Sequence, residues 1–111
     1  IMRFFSEKIN ACYAAGINDV ILDPGFGFGK TIVHNYHLLD RLERFQDFKL
    51  PVLAGVSRKS MIYKVLDTTP EESLNGTTVL HTVALMKKAQ LIRVHDVKTA
   101  KECIRLLEQL R

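Results

Sequence analysis

The chain has 111 residues, room for one modest domain and not for two large ones. Its residues are 47% hydrophobic and 25% charged, an ordinary globular balance that excludes a low-complexity chain. No apolar run approaches the roughly 20 residues that span a bilayer, and the net charge of +4 is too scattered for a nucleic-acid footprint.

The opening residues, Ile1 to Ser6, carry no signal-peptide pattern and run straight into a helical period. Phe4, Phe5, Ile9, Cys12 and Tyr13 predict a helix over 2–15, with Gly16 as its stop. A chain that opens with Ile inside a periodic segment reads as a piece of something longer. Residues 19–23 form a short apolar run between acids, the pattern of a buried parallel strand. A second helix is predicted from Asn35 as N-cap, with Leu38, Leu39, Leu42 and Phe45 inward and Phe48 completing the stripe. Pro51 opens a second strand, where its missing N–H is tolerable.

After Ser60, Met61, Ile62, Val65 and Leu66 predict a short helix. Thr69, Pro70 and Glu72 form a capping-box signature for a long helix, with Leu74, Thr78, Val79, Val83 and Met86 on its inner face. Residues 91–94 predict a third strand. Asp96 then caps a final helix whose inner face is Ala100, Cys103, Ile104, Leu107 and Leu110. Cys12 and Cys103 lack CxxC spacing and read as free buried thiols in a reducing cytoplasm.

The order is a helix followed by three strand–loop–helix units. That repetition is how a β/α barrel builds a site at the carboxyl ends of its parallel strands, but a closed barrel takes eight units and about 250 residues. Residues 1–111 are therefore expected to be the carboxyl-terminal portion of a (β/α)8 TIM barrel, an α/β fold whose amino-terminal portion is missing. Asp23, Lys59, Arg93 and His95 should meet at one mouth.

The first strand runs into Asp23-Pro24-Gly25-Phe26-Gly27-Phe28-Gly29-Lys30. Neither the P-loop nor the dinucleotide fingerprint fits, because Pro24 and Lys30 fall where glycines are required. Two readings stay open here. Alternating glycines admit a flat ligand to the backbone while a carboxylate accepts two N–H bonds from a heterocycle edge. Alternatively, the segment is a tight turn capped by Asp23.

The second strand runs into Ser57-Arg58-Lys59-Ser60, at a helix start that suits an anion; the alternative is a capping Ser60 and a solvated Lys59. In the third, Arg93 and His95 share one strand face with Val94 opposite, an arrangement suited to a phosphate or pyrophosphate. Lys30 and Arg58 also fall in these loops and extend the candidate anion site. His34 and His37 at a helix start, and His81 within the long helix, have weaker claims.

Together the three segments, ending in Arg93-Val94-His95-Asp96-Val97, resemble the carboxyl-terminal motifs of the dihydropteroate synthase family, in order and across essentially the whole chain. The resemblance implies condensation of 6-hydroxymethyl-7,8-dihydropterin pyrophosphate with p-aminobenzoate to give dihydropteroate and pyrophosphate in folate synthesis. It implies pterin contacts from Asp23, Phe28, Gly55, Lys59 and Arg93. Ser60 would hold the p-aminobenzoate carboxylate, the site sulfonamides occupy, and Arg93 with His95 the pyrophosphate. Lys59, Arg93 and His95 carry the catalytic roles. The resemblance also implies Mg2+, with its ligand upstream of Ile1 and none in this chain, and a cytoplasmic homodimer. The longer parent is then the active transferase and the 111-residue piece alone is inactive. Small-molecule substrates are the expected partners, without nucleic acid or membrane. A pterin-binding methyltransferase domain and a non-catalytic pterin or anion module are the alternatives.

Overall fold

A computed structural model of the chain describes residues 1–27 and 29–110. Its elements are helix α1 (Met2–Ala14), helix α2 (Ile32–Asp40), a 3-10 stretch (Leu42–Phe48), strand β1 (Leu53–Ala54), short helix α3 (Ser60–Tyr63), a 3-10 turn (Pro70–Glu72), helix α4 (Leu74–Met86), strand β2 (Leu91–Ile92) and helix α5 (Val97–Glu108). The arrangement is mixed α/β with parallel pairing.

β1 lies in the middle. Leu53 and Ala54 pair with Leu91 and Ile92, and Val52 bridges in parallel to Leu22 on the other side. Leu22 N–H donates to Pro51 O at 2.9 Å, Leu53 N–H to Leu22 O at 2.8 Å and Arg93 N–H to Ala54 O at 3.1 Å. The first predicted strand is thus reduced to one bridge at Leu22, and Ile21 is exposed. The next donor due on that side falls at Pro24, which has no N–H, so the ladder stops there.

The core is formed by Leu22, Phe26, Leu38, Leu39, Leu42, Phe45, Val52, Ala54, Val56, Met61 and Ile62 among its buried members. Leu38, Leu39, Leu42 and Phe45 all turn inward as the periodicity predicts, although α2 gives way to a 3-10 stretch after Asp40. α2 begins three residues before the predicted cap: Thr31 Oγ1 accepts from His34 N–H at 3.1 Å, which frees Asn35 for another task. α3 is shorter than predicted, and Val65 and Leu66 are exposed beyond it. Thr69 Oγ1 caps the separate 3-10 turn through Glu72 N–H at 3.3 Å, not the long helix.

The buried stripe of α4 is Thr77, Leu80, His81 and Ala84, while Val79 and Met86 face outward. Gly76 explains this rotation. A Cβ there would lie 2.5 Å from Ile62 Cγ2, so α4 turns its glycine toward α3 to pack closely. On α1 only Ile9 is buried, with Phe4 and Tyr13 exposed; on α5 Ala100 and Cys103 are buried, and Leu110, just past its end, is exposed. Cys103 lies 3.3 Å from Thr82 Oγ1, and Cys12 is half-buried; both thiols are free.

His81 is 3% exposed, and its Nε2 has no hydrogen-bond partner among the described residues. Burial lowers its pKa below the ordinary value of 6.5, with a smaller opposing pull from Asp96. Unfolding lets the ring take up a proton that the folded chain resists, so stability falls as pH drops from 6.5 toward the folded value. Urea midpoints across that window are expected to decline in acid, and His81→Gln is expected to flatten the decline. An unchanged slope in the variant would refute this.

Candidate active site

Each functional side chain is set by the loop after a parallel segment. After Leu22 the chain enters a glycine turn, with Gly25 and Gly27 at φ of 72° and 93°. These left-handed values favour glycine over residues with a Cβ. The turn is stitched from inside. Gly25 N–H donates to Asp23 Oδ1 at 3.0 Å and Gly27 N–H to Asn35 Oδ1 at 2.7 Å. Asn35 Nδ2 donates to Thr31 O at 3.1 Å, and Lys30 Nζ to Gly25 O at 2.7 Å. The buried Asn35 therefore anchors the loop, a role sequence reading missed. Its signal would have been an amide on the first turn of a helix after a run of glycines.

Lys59 occupies the cap position of α3 and reaches back to the same turn, its Nζ donating to Phe26 O at 2.8 Å. Burial lowers its pKa, Arg93 adds to that, and Asp23 pulls the other way. Arg93 Nη1 donates to Asp23 Oδ2 at 2.9 Å. Its guanidinium lies against the bare face of Gly55, where an added Cβ would sit 2.5 Å from Nη2. His95 Nδ1 lies 2.8 Å from Ser57 Oγ, which also accepts the His95 backbone N–H at 3.3 Å. A Ser57 hydroxyl that donates to Nδ1 leaves Nε2–H as the outward donor. Gly55, Ser57, Lys59, Arg93, Val94 and His95 enclose a hollow of about 120 Å³.

Asp23, Gly55, Lys59, Arg93 and His95 therefore gather as expected. Val94, predicted on the opposite face, borders the hollow as well. Ser60 is half-buried at the first position of α3, beside Lys59 but outside the hollow's lining. Phe28 lies outside the described residues. His34 and His37 border a separate hollow of about 740 Å³ along α2.

Two cations expected in the anion site have other partners. Lys30 is bound to the glycine turn. Arg58, at φ of 54°, donates through Nε and Nη2 to Asp96 at 3.0 Å each and through Nη1 to Pro70 O at 2.7 Å. Its backbone N–H donates to Thr77 Oγ1 at 3.0 Å. A left-handed non-glycine residue costs roughly 1–3 kcal/mol, which this set of bonds offsets. Asp96 does not cap α5 with its side chain, because Arg58 engages both its oxygens.

Parallel segments that deliver a carboxylate and several cations to one mouth define a strand-end ligand site of the α/β class. Residues 1–95 match the family model described as pterin binding enzyme. The chain is 49% identical over 110 residues to the dihydropteroate synthase of Escherichia coli (strain K12), covering 97% of this chain and 39% of that protein. It superposes with a TM-score of 0.97 and 46% identity on the Yersinia pestis enzyme solved with a pterine-sulfa conjugate, over all of this chain and 45% of that one. The Coxiella burnetii dihydropteroate synthase in complex with pteroic acid gives a TM-score of 0.93 at 41% identity, over 96% of this chain and 41% of that one. The chain belongs to the pterin binding enzyme family. It spans about two fifths of the length of its Escherichia coli relative.

The Arg58 hydrogen bonds hold Asp96 below the usual carboxylate pKa of 3.8, against a smaller opposing effect of burial. The pair's stabilisation is complete above 3.8 and drains away as pH falls from there through the lower folded value. Asp96→Asn is expected to be less stable than wild type at neutral pH, with the gap in urea midpoint closing in strong acid. A gap that persists unchanged in acid would contradict this.

Proposed function

We propose that residues 1–111 are the carboxyl-terminal part of a pterin-binding (β/α)8 barrel and that the longer protein is a dihydropteroate synthase. The observation that carries this reading is the meeting of Lys59, Arg93 and His95 around one hollow at the ends of parallel segments, with Asp23 bound to Arg93 beside it. The remaining strands and the amino-terminal part of the barrel lie outside this chain. Exposed Ile21 and Leu91, on the two flanks of β1, suit further strands on either side.

Asp23, with two carboxylate oxygens, accepts the amino-pyrimidine edge of the pterin. Lys59 donates to the pterin ring, and Gly55 lets Arg93 lie flat beside it. Ser60 holds the p-aminobenzoate carboxylate. The reaction starts with cleavage of the carbon–oxygen bond to pyrophosphate. Arg93 and the His95 Nε2–H meet the charge that grows on the leaving group, where fixed donors count most. The aryl amine then attacks the cationic pterin methylene and loses its proton. Dihydropteroate and pyrophosphate leave.

The resemblance would place the protein ligand of a magnesium ion ahead of Ile1, and the bound ion would help neutralise the charge of the leaving pyrophosphate. Among the described residues no three His, Cys, Asp or Glu side chains come together to hold a metal. A cytoplasmic homodimer completes the reading. The free thiols suit a reducing compartment, and the outward Val79 and Met86 of α4 suit a subunit contact. No helix among the described residues is long and apolar enough to cross a membrane.

In the full-length protein, Arg93→Ala and Lys59→Ala are each expected to lower kcat by about 10²–10³-fold. Asp23→Asn is expected to weaken pterin binding by about 10- to 100-fold. Pyrophosphate release and calorimetry with a pterin phosphate check these. Near wild-type turnover in Lys59→Ala would overturn its assigned role.

A further inference from the structure

Beyond the point where backbone pairing of β1 and β2 ends, the same register continues in side chains. Leu53 pairs with Leu91 and Ala54 with Ile92, each 38 positions apart. Ser57 then bonds His95, and Arg58 bonds Asp96, at the same separation of 38. The two loops therefore advance in step, joined first by peptide groups and then by two consecutive side-chain pairs.

Resting on the synthase reading, we propose that Arg58 and Asp96 are positioning residues whose two-point ion pair sets the separation and aim of Lys59 and His95. Lys59 follows Arg58 directly, and His95 directly precedes Asp96. Arg58 sits in a left-handed conformation that few residues with a Cβ adopt, and its side chain and N–H together reach Asp96, Pro70, Glu71 and Thr77. Those bonds tie the loop after β1 to the turn before α4, to α4 itself and to the loop after β2. A backbone so held gives the next residue, Lys59, a fixed origin from which to reach Phe26 O. Asp96 sits at the cap position of α5 but does not cap it with its side chain, because both carboxylate oxygens serve the fork. The planar guanidinium matches a carboxylate at two points and resists rotation, which a lysine ammonium does not.

The test is steady-state kinetics of the full-length enzyme with Arg58→Lys, which keeps the charge and loses the fork. A displacement near one ångström in a catalytic group costs about 100-fold at most, so kcat is expected to fall about 10- to 100-fold. A residue acting through Lys59 and His95 has little left to disturb once they are gone. Arg58→Lys is therefore expected to cost less than about twofold when added to Lys59→Ala, His95→Ala. Additive losses in that background, full turnover in Arg58→Lys alone, or a rate loss that only tracks the folded fraction in a melting curve each overturn the inference. If Arg58→Lys fails to fold, Asp96→Asn carries the same cycle; if neither folds, the pair is a folding element only and the inference falls. An inactive wild type would sink the synthase reading and this inference with it. An active wild type with an indifferent Arg58→Lys sinks this inference alone.

Discussion

The middle segment, Pro51 to Ala54, makes backbone hydrogen bonds to both flanks, and the placing of the loops beyond it hangs from that arrangement. Parallel pairing sends all three chain segments out of the sheet at the same end. Asp23 and Arg93 are 70 positions apart in sequence yet 2.9 Å apart in space for this reason. A short sheet suffices because its immediate surroundings are dry. Leu22, Val52, Ala54 and Val56 are all buried, so water does not compete for the peptide groups between them.

The basic side chains near this end divide into two groups. Lys30 and Arg58 hold the loops together, one through carbonyl oxygens of the glycine turn and the other through Asp96. Lys59, Arg93 and His95 border the hollow. Charge alone does not separate the groups. What separates them is place: Lys59, Arg93 and His95 line the hollow, and Lys30 and Arg58 do not. The mild positive charge of the chain thus splits into internal fastening and outward chemistry.

Much of this was legible in the residues. Leu38, Leu39, Leu42 and Phe45 announce a buried stripe by spacing alone, and acid-flanked apolar runs announce parallel strands. The convergence of Asp23, Lys59, Arg93 and His95 followed from the repeated strand–loop–helix order. Three things were not legible. The inward face of α4 depends on Gly76 nestling against Ile62, a contact between segments that periodicity does not register. The start of α2 was misplaced because Thr31 and Asn35 are both good caps, and a tertiary bond to Gly27 decides between them. Asp96 looked like a cap because helix starts favour acids, yet a guanidinium from a distant loop competes better for it.

Gly55 has a consequence for how such a site can vary. Its missing side chain leaves room for the flat face of Arg93, and even a methyl group would collide with the guanidinium at 2.5 Å. Arg93 cannot retreat without letting go of Asp23, so an alanine at that position disturbs two other residues at once. Variation in this cleft is therefore easier at its rim than at the floor beneath the arginine, where any added side chain would have to push the guanidinium aside.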